Sequence, residues 1–133
     1  MRDLVIKGND RSPSIIFKPA ENKFVIGGES RPEDARKYFH PVVEWIEDFS
    51  HFTALHKGEE KNIYHFDFRM EYMNSISTKI IYDLLKKLEA LPHATIIINW
   101  HYASDDVDMQ ENGQEYSQMV NLKFEFYPYE EQA

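Results

Sequence analysis

Polar and apolar residues alternate along NIYHFDFRMEY, with Tyr64, Phe66, Phe68, Met70 and Tyr72 on one face and His65, Asp67, Arg69 and Glu71 on the other. A period of two predicts a half-exposed strand. Downstream, Ile76, Ile80, Ile81, Leu84, Leu85, Leu88 and Leu91 recur at helical spacing, and Pro92 stops that helix. ATIIINWHY is apolar nearly throughout, which predicts a central strand covered on both faces. KFEFYPY reads as a last strand and EEQA as a solvated tail. Near the start, LVIK (4–7), SIIFKP (14–19) and KFVIGG (23–28) predict further strands. PAEN makes a hairpin turn between the second and third of these, and Gly27-Gly28 breaks the third.

ESRPEDARKYF carries helix-start signals. Ser30 and Glu33 have capping-box spacing, Pro32 suits a first turn, and Glu33 and Asp34 favour the positive end of the helix dipole. Ala35, Phe39, Val42, Val43, Ile46 and Phe49 then form the buried stripe, with a kink or break expected at Pro41. Tyr38, Trp45 and Phe52 lie seven apart and widen that stripe. They read either as part of a well-buried helix or as an aromatic ridge for a partner. HKGEEKN is a loop, and SDDVDMQENGQEY predicts a short helix capped by Ser104 or Asp105. The resulting order is β-β-β-α-β-α-β-α-β. Alternation in the second half implies parallel crossovers, and the hairpin makes the sheet mixed. Residues 1–133 therefore read as a single α/β layered domain.

Composition narrows the function. Hydrophobic residues make up 42% of the chain and charged ones 29%, which is ordinary for a globular protein. A net charge of -8 argues against nucleic acid, whose recognition needs clustered Lys and Arg. No apolar run approaches the roughly 20 residues that span a bilayer, and MRDLVIKGND has no signal-peptide core, so a cytoplasmic location is expected. With no cysteine, disulfides, thiol nucleophiles and thiolate metal sites are excluded.

Catalytic motifs are thin, and no cofactor is expected. GGES lacks a Walker lysine, and Gly27-Gly28 lacks the dinucleotide-fingerprint spacing. His51 and His56 are five apart and cannot share a helix face as a metal pair would. Counted from Asp106, the sixth and twelfth positions that calcium loops reserve for Gly and Glu hold Glu111 and Ser117. No metal site is expected. The enzymatic or ligand-binding alternative rests on the acidic segment 105–111 with His101.

EYMNSISTKII (71–81) is the more unusual stretch. Ser75, Ser77 and Thr78 crowd the point where strand becomes helix, beside Asn74 and Lys79. Asn74 or Ser75 would cap the helix. One cap does not account for Ser77 and Thr78, which are mediocre helix formers. Free N–H groups and the dipole make a helix start favourable for phosphate. Ser75 is thus a candidate phosphorylation site, with Ser77 and Thr78 as alternatives and Lys79 within reach of the added charge.

GESRPEDARKYFHPVVEWIEDF, EYMNSISTK and INWHYASDDVDMQENGQEY resemble, in order, three segments of the SiaC family of bacterial regulatory phosphoproteins. The resemblance runs over nearly the full length. It implies an architecture similar to anti-sigma-factor-antagonist domains and a non-enzymatic switch. By that likeness a hydroxyl at the strand-to-helix junction is phosphorylated by a dedicated kinase and freed by a metal-dependent serine/threonine phosphatase. The unmodified form would bind and activate a diguanylate cyclase, which ties the switch to cyclic-di-GMP and biofilm formation. Ser75 aligns with the family's threonine, and Ile76 stands where the family has serine.

Overall fold

A computed structural model describes residues 1–58 and 62–131. It contains six strands and three α-helices: β1 (Leu4–Ile6), β2 (Ser14–Lys18), β3 (Lys23–Ser30), α1 (Ala35–Leu55), β4 (Ile63–Met73), α2 (Ser75–Glu89), β5 (Thr95–Ala103), α3 (Val107–Met119) and β6 (Lys123–Tyr129). The order is the one the polarity pattern predicts. Residues 59–61 of the HKGEEKN loop and the last two of the EEQA tail lie outside the described residues. No described helix is long and apolar enough to cross a membrane.

All six strands form one sheet in simple sequential order, β1-β2-β3-β4-β5-β6. The first two pairings are antiparallel and the last three parallel, so the sheet is mixed. The hairpin between β2 and β3 turns through a 3-10 segment, Pro19–Glu21, and Asn22 in the left-handed region. Sequential parallel order with right-handed crossovers places every helix on the same face of the sheet. Burial agrees. Phe66, Phe68 and Met70 of β4 and Ile96, Ile98 and Trp100 of β5 are buried on the helix side. His65, Asp67, Ile97 and Asn99 on the other side are only half-buried. β5 is therefore covered on one face, not both; its near-continuous apolarity conceals an alternation in burial.

The α1 stripe packs as its spacing predicts, with Phe39, Val42, Ile46 and Phe49 buried. Its start differs from the expected one. Asp34 is the cap, accepting from the Lys37 N–H at 3.1 Å, while Ser30 still belongs to β3. A register shift between Gly28 and Glu29, with Gly28 at φ 110, carries the strand past the glycine pair that reads as its end. The helix also runs unbroken through Pro41. Proline removes one bond to the carbonyl four residues back, and burial of Phe39 and Val42 on either side holds the turn together.

Trp45 is fully buried, stacked on Phe49 and packed against Phe17, and its Nε1–H donates to the Arg2 carbonyl at 2.9 Å. Tyr38 donates to the Pro13 carbonyl at 2.6 Å, and Phe52 stacks on Phe49. The N-terminal segment thus covers the ridge at Tyr38 and Trp45, while Phe52 packs against Phe49 and the His56 ring. Trp45 is core, not a partner contact, because nothing of its side chain reaches the surface.

Candidate functional site

The junction of β4 and α2 gives each hydroxyl a different environment. Asn74 is the N-cap, its Oδ1 accepting from the Ser77 N–H at 2.8 Å. Ser75 is therefore the first residue inside the helix, not its cap. Its side chain is exposed and has no hydrogen-bond partner among the described residues. Thr78 Oγ1 donates back to the Asn74 carbonyl at 3.0 Å, a local bond for a hydroxyl one turn into a helix. Ser77 is wholly buried. It accepts a hydrogen bond from Ser30 Oγ at 2.7 Å, and Ser30 is equally buried. Of the three hydroxyls only that of Ser75 is both accessible and unengaged.

Three sequence segments converge on this turn. From the end of β3, Ser30 reaches Ser77 through its hydroxyl and accepts the Asn74 N–H at its carbonyl, 3.0 Å away. From α3, the Tyr116 hydroxyl donates to the Thr78 carbonyl at 2.7 Å. Burial pushes the Tyr116 phenol well above the ordinary tyrosine range, so it remains a neutral donor. Gly113 allows α3 to lie this close: a Cβ there would stand 2.4 Å from Trp100 Cδ1. Trp100 in turn donates from Nε1 to the Met109 carbonyl at 3.0 Å. GESRPED, NSIST and NGQEY are thus one constellation around the first turn of α2. Sequence spacing shows the Ser77 hydroxyl but not its partner, because Ser30 is 47 residues away from Ser77.

Between α2 and α3 lies a groove of about 430 Å³, with Ser75, Lys79, Tyr82, Glu115, Tyr116 and Met119 among its lining. Two exposed apolar side chains lie at this surface: Ile76, next to Ser75 in the chain and 58% exposed, and Met119 on the groove wall, 55% exposed. Lys79, one turn beyond Ser75, pairs with Asp83 at 2.8 Å and lies 5.2 Å from the Tyr82 ring centre. It is held by its own helix rather than waiting on Ser75.

The acidic segment and His101 are not brought together chemically. Asp106 caps α3, its Oδ1 accepting from the Met109 N–H at 3.0 Å, in place of the expected Ser104 or Asp105. Asp105 and Asp108 are exposed. His101 lies on the open face of the sheet, bonded to Asp67 at 2.8 Å and stacked on Tyr127. Asp67 Oδ1 also accepts from Asn99 Nδ2 at 3.2 Å, so its oxygen is already occupied. Among the described residues no group of three His, Asp or Glu side chains could hold a metal.

A model of the SiaC family regulatory phosphoprotein matches residues 6–129. The chain belongs to the SiaC family. An uncharacterised protein of Pseudomonas aeruginosa strain UCBPP-PA14 is 26% identical over 133 residues, covering 98% of this chain and all of that one. SiaC of Pseudomonas aeruginosa superposes with a TM-score of 0.79 at 23% identity, covering 97% of this chain and 100% of the other. A crystal structure of the diguanylate cyclase SiaD in complex with its activator SiaC, from the same species, matches with a TM-score of 0.80 at 24% identity over 96% of this chain and 100% of the other. At these identities the structural likeness speaks for the fold alone, and membership rests on the family model.

Proposed function

We propose that this SiaC-family chain is a non-enzymatic signalling switch controlled by reversible phosphorylation of Ser75. The observation that carries this reading is the isolation of the Ser75 hydroxyl. It is exposed at the first position of α2, while Ser77 is buried against Ser30 and Thr78 bonds to its own helix. A phosphoryl group there meets the positive end of the helix dipole and the unpaired N–H groups of the first turn, and the fold has no reason to yield. It adds between one and two negative charges to a surface that is otherwise partly apolar. A partner seated over Ile76 and the α2–α3 groove would then have to bury a charge that the single Lys79 ammonium offsets only in part, which is unfavourable.

In this reading the unphosphorylated form binds and regulates a diguanylate cyclase in the cytoplasm, by analogy with the activator complex of the Pseudomonas relative. A protein kinase writes the phosphate, and a metal-dependent serine/threonine phosphatase removes it. Lys79 exchanges its Asp83 pairing for the phosphate when Ser75 is modified. The test is binding of the purified chain to the cyclase encoded in its genome, before and after phosphorylation. Tight binding only of the unmodified form supports the switch. Equal affinity of both forms, or no binding of either, overturns it.

A further inference from the structure

We propose that the outer edge of β6 pairs with the same edge of a second copy of this chain, antiparallel and centred on Phe124, joining two sheets into one. β6 is the last strand of the sheet, hydrogen-bonded to β5 on one side and, among the described residues, to no strand on the other. It is seven residues long, and Phe126 and Tyr127 on it are 37% and 42% exposed. Such an edge is a template for another strand.

Backbone direction restricts how it can be used. The Ser104 N–H donates to the Tyr129 carbonyl at 2.7 Å, so the backbone groups of Tyr129 face β5. Alternation along a strand then points those of Phe124, Phe126 and Pro128 outward. The N–H that proline lacks falls on the outer side, where it costs the existing sheet nothing. An antiparallel copy centred on Phe126 would set Pro128 opposite Phe124 and lose a donor at both ends. Centring on Lys123 or Glu125 would set like charges directly opposite each other, which is destabilising. Centring on Phe124 avoids both faults. The two Phe124 residues exchange backbone hydrogen bonds, and Lys123 of each copy stands opposite Glu125 of the other.

The side chains suit that register. Within one chain Lys123 and Glu125 already form a 3.4 Å pair, so the same two charges need only exchange partners across the seam. Phe124 of each copy meets Phe124 of the other, while Phe126, its ring centre 6.0 Å from that of Phe124, stands opposite Leu122 just before the strand. A chain of net charge -8 resists self-association in general. The β6 edge is a place where its charges are balanced and self-complementary. Because β4, which leads into α2, is separated from β6 by β5, pairing here leaves the Ser75 turn untouched.

Sedimentation velocity of the full chain over a wide concentration range tests this, with circular dichroism confirming that each variant is folded. Wild type should show a reversible monomer–dimer equilibrium. Lys123→Glu and Glu125→Lys should each weaken dimerisation about tenfold or more, since each places like charges opposite across the seam. An equimolar mixture of the two variants should restore it, because only the mixed dimer has opposite charges at both positions. A monomeric wild type at all concentrations, single variants that dimerise as wild type does, or a mixture no tighter than its components would each overturn the proposal.

Discussion

Ser30 Oγ donates to Ser77 Oγ across 2.7 Å, joining the end of β3 to the first turn of α2 over a separation of 47 residues. Both side chains are fully buried, so each hydroxyl depends on the other for a partner. Removing one strands the other, at a cost of about 1–3 kcal/mol, whereas removing both is less than additive. Urea denaturation of Ser30→Ala, Ser77→Ala and the double variant should give that pattern. Additive losses would mean the two hydroxyls act separately.

Capping belongs to Asn74, and Ser75 carries none of it. Asn74→Ala should therefore lose about 0.5–2 kcal/mol. Ser75→Ala should stay within about 0.5 kcal/mol of wild type, as an exposed substitution with no broken bond. Ser75→Asp places an acid in the first turn and should stabilise by a few tenths of a kcal/mol. Thermal melts of the three variants check the order, and a larger loss in Ser75→Ala than in Asn74→Ala would contradict it.

The polarity pattern made the element order and the two helical stripes legible, because burial of apolar faces is a local, periodic signal. It did not show where the partners of polar groups lie. Ser30 reads as a capping-box serine from its spacing to Glu33, yet tertiary contact with Ser77 and the shift at Gly28 keep it in the strand. Trp45 reads as a ridge residue since it lies seven residues from both Tyr38 and Phe52 at the edge of the helical stripe, but the Arg2 segment folds over it. The hydroxyl cluster was visible as an excess of polar residues. Which member remained free depended on contacts from β3 and α3 that no window of sequence contains.

Both tryptophans are core, each with no exposed surface. Trp45→Ala and Trp100→Ala should each cost about 3–5 kcal/mol. Gly113→Ala should also destabilise, since its new Cβ would collide with the Trp100 ring. Chemical denaturation measures all three, and a near-native Trp45→Ala would reopen a surface role for that side chain.

Tyr116 supplies a pH dependence. Burial raises its folded-state value above the ordinary tyrosine value of about 10. Its contribution is complete below pH of about 10 and declines as pH rises further, because the unfolded chain then releases a proton that the folded one retains. Tyr116→Phe should lose about 0.5–1.5 kcal/mol at neutral pH, from the missing bond to the Thr78 carbonyl. It should also fall less steeply with pH on the alkaline side. Parallel slopes for the two proteins would contradict the assignment.

In the proposed switch, Ser75 rather than Ser77 or Thr78 is the hydroxyl that takes the phosphate. Incubation of the chain with ATP and a candidate protein kinase from its own organism, followed by intact mass and fragment-ion mapping, decides between them. One phosphate on Ser75, absent in Ser75→Ala, is the predicted result. Phosphate on Thr78 or Ser77, or no modification of any of the three by that kinase, would contradict it.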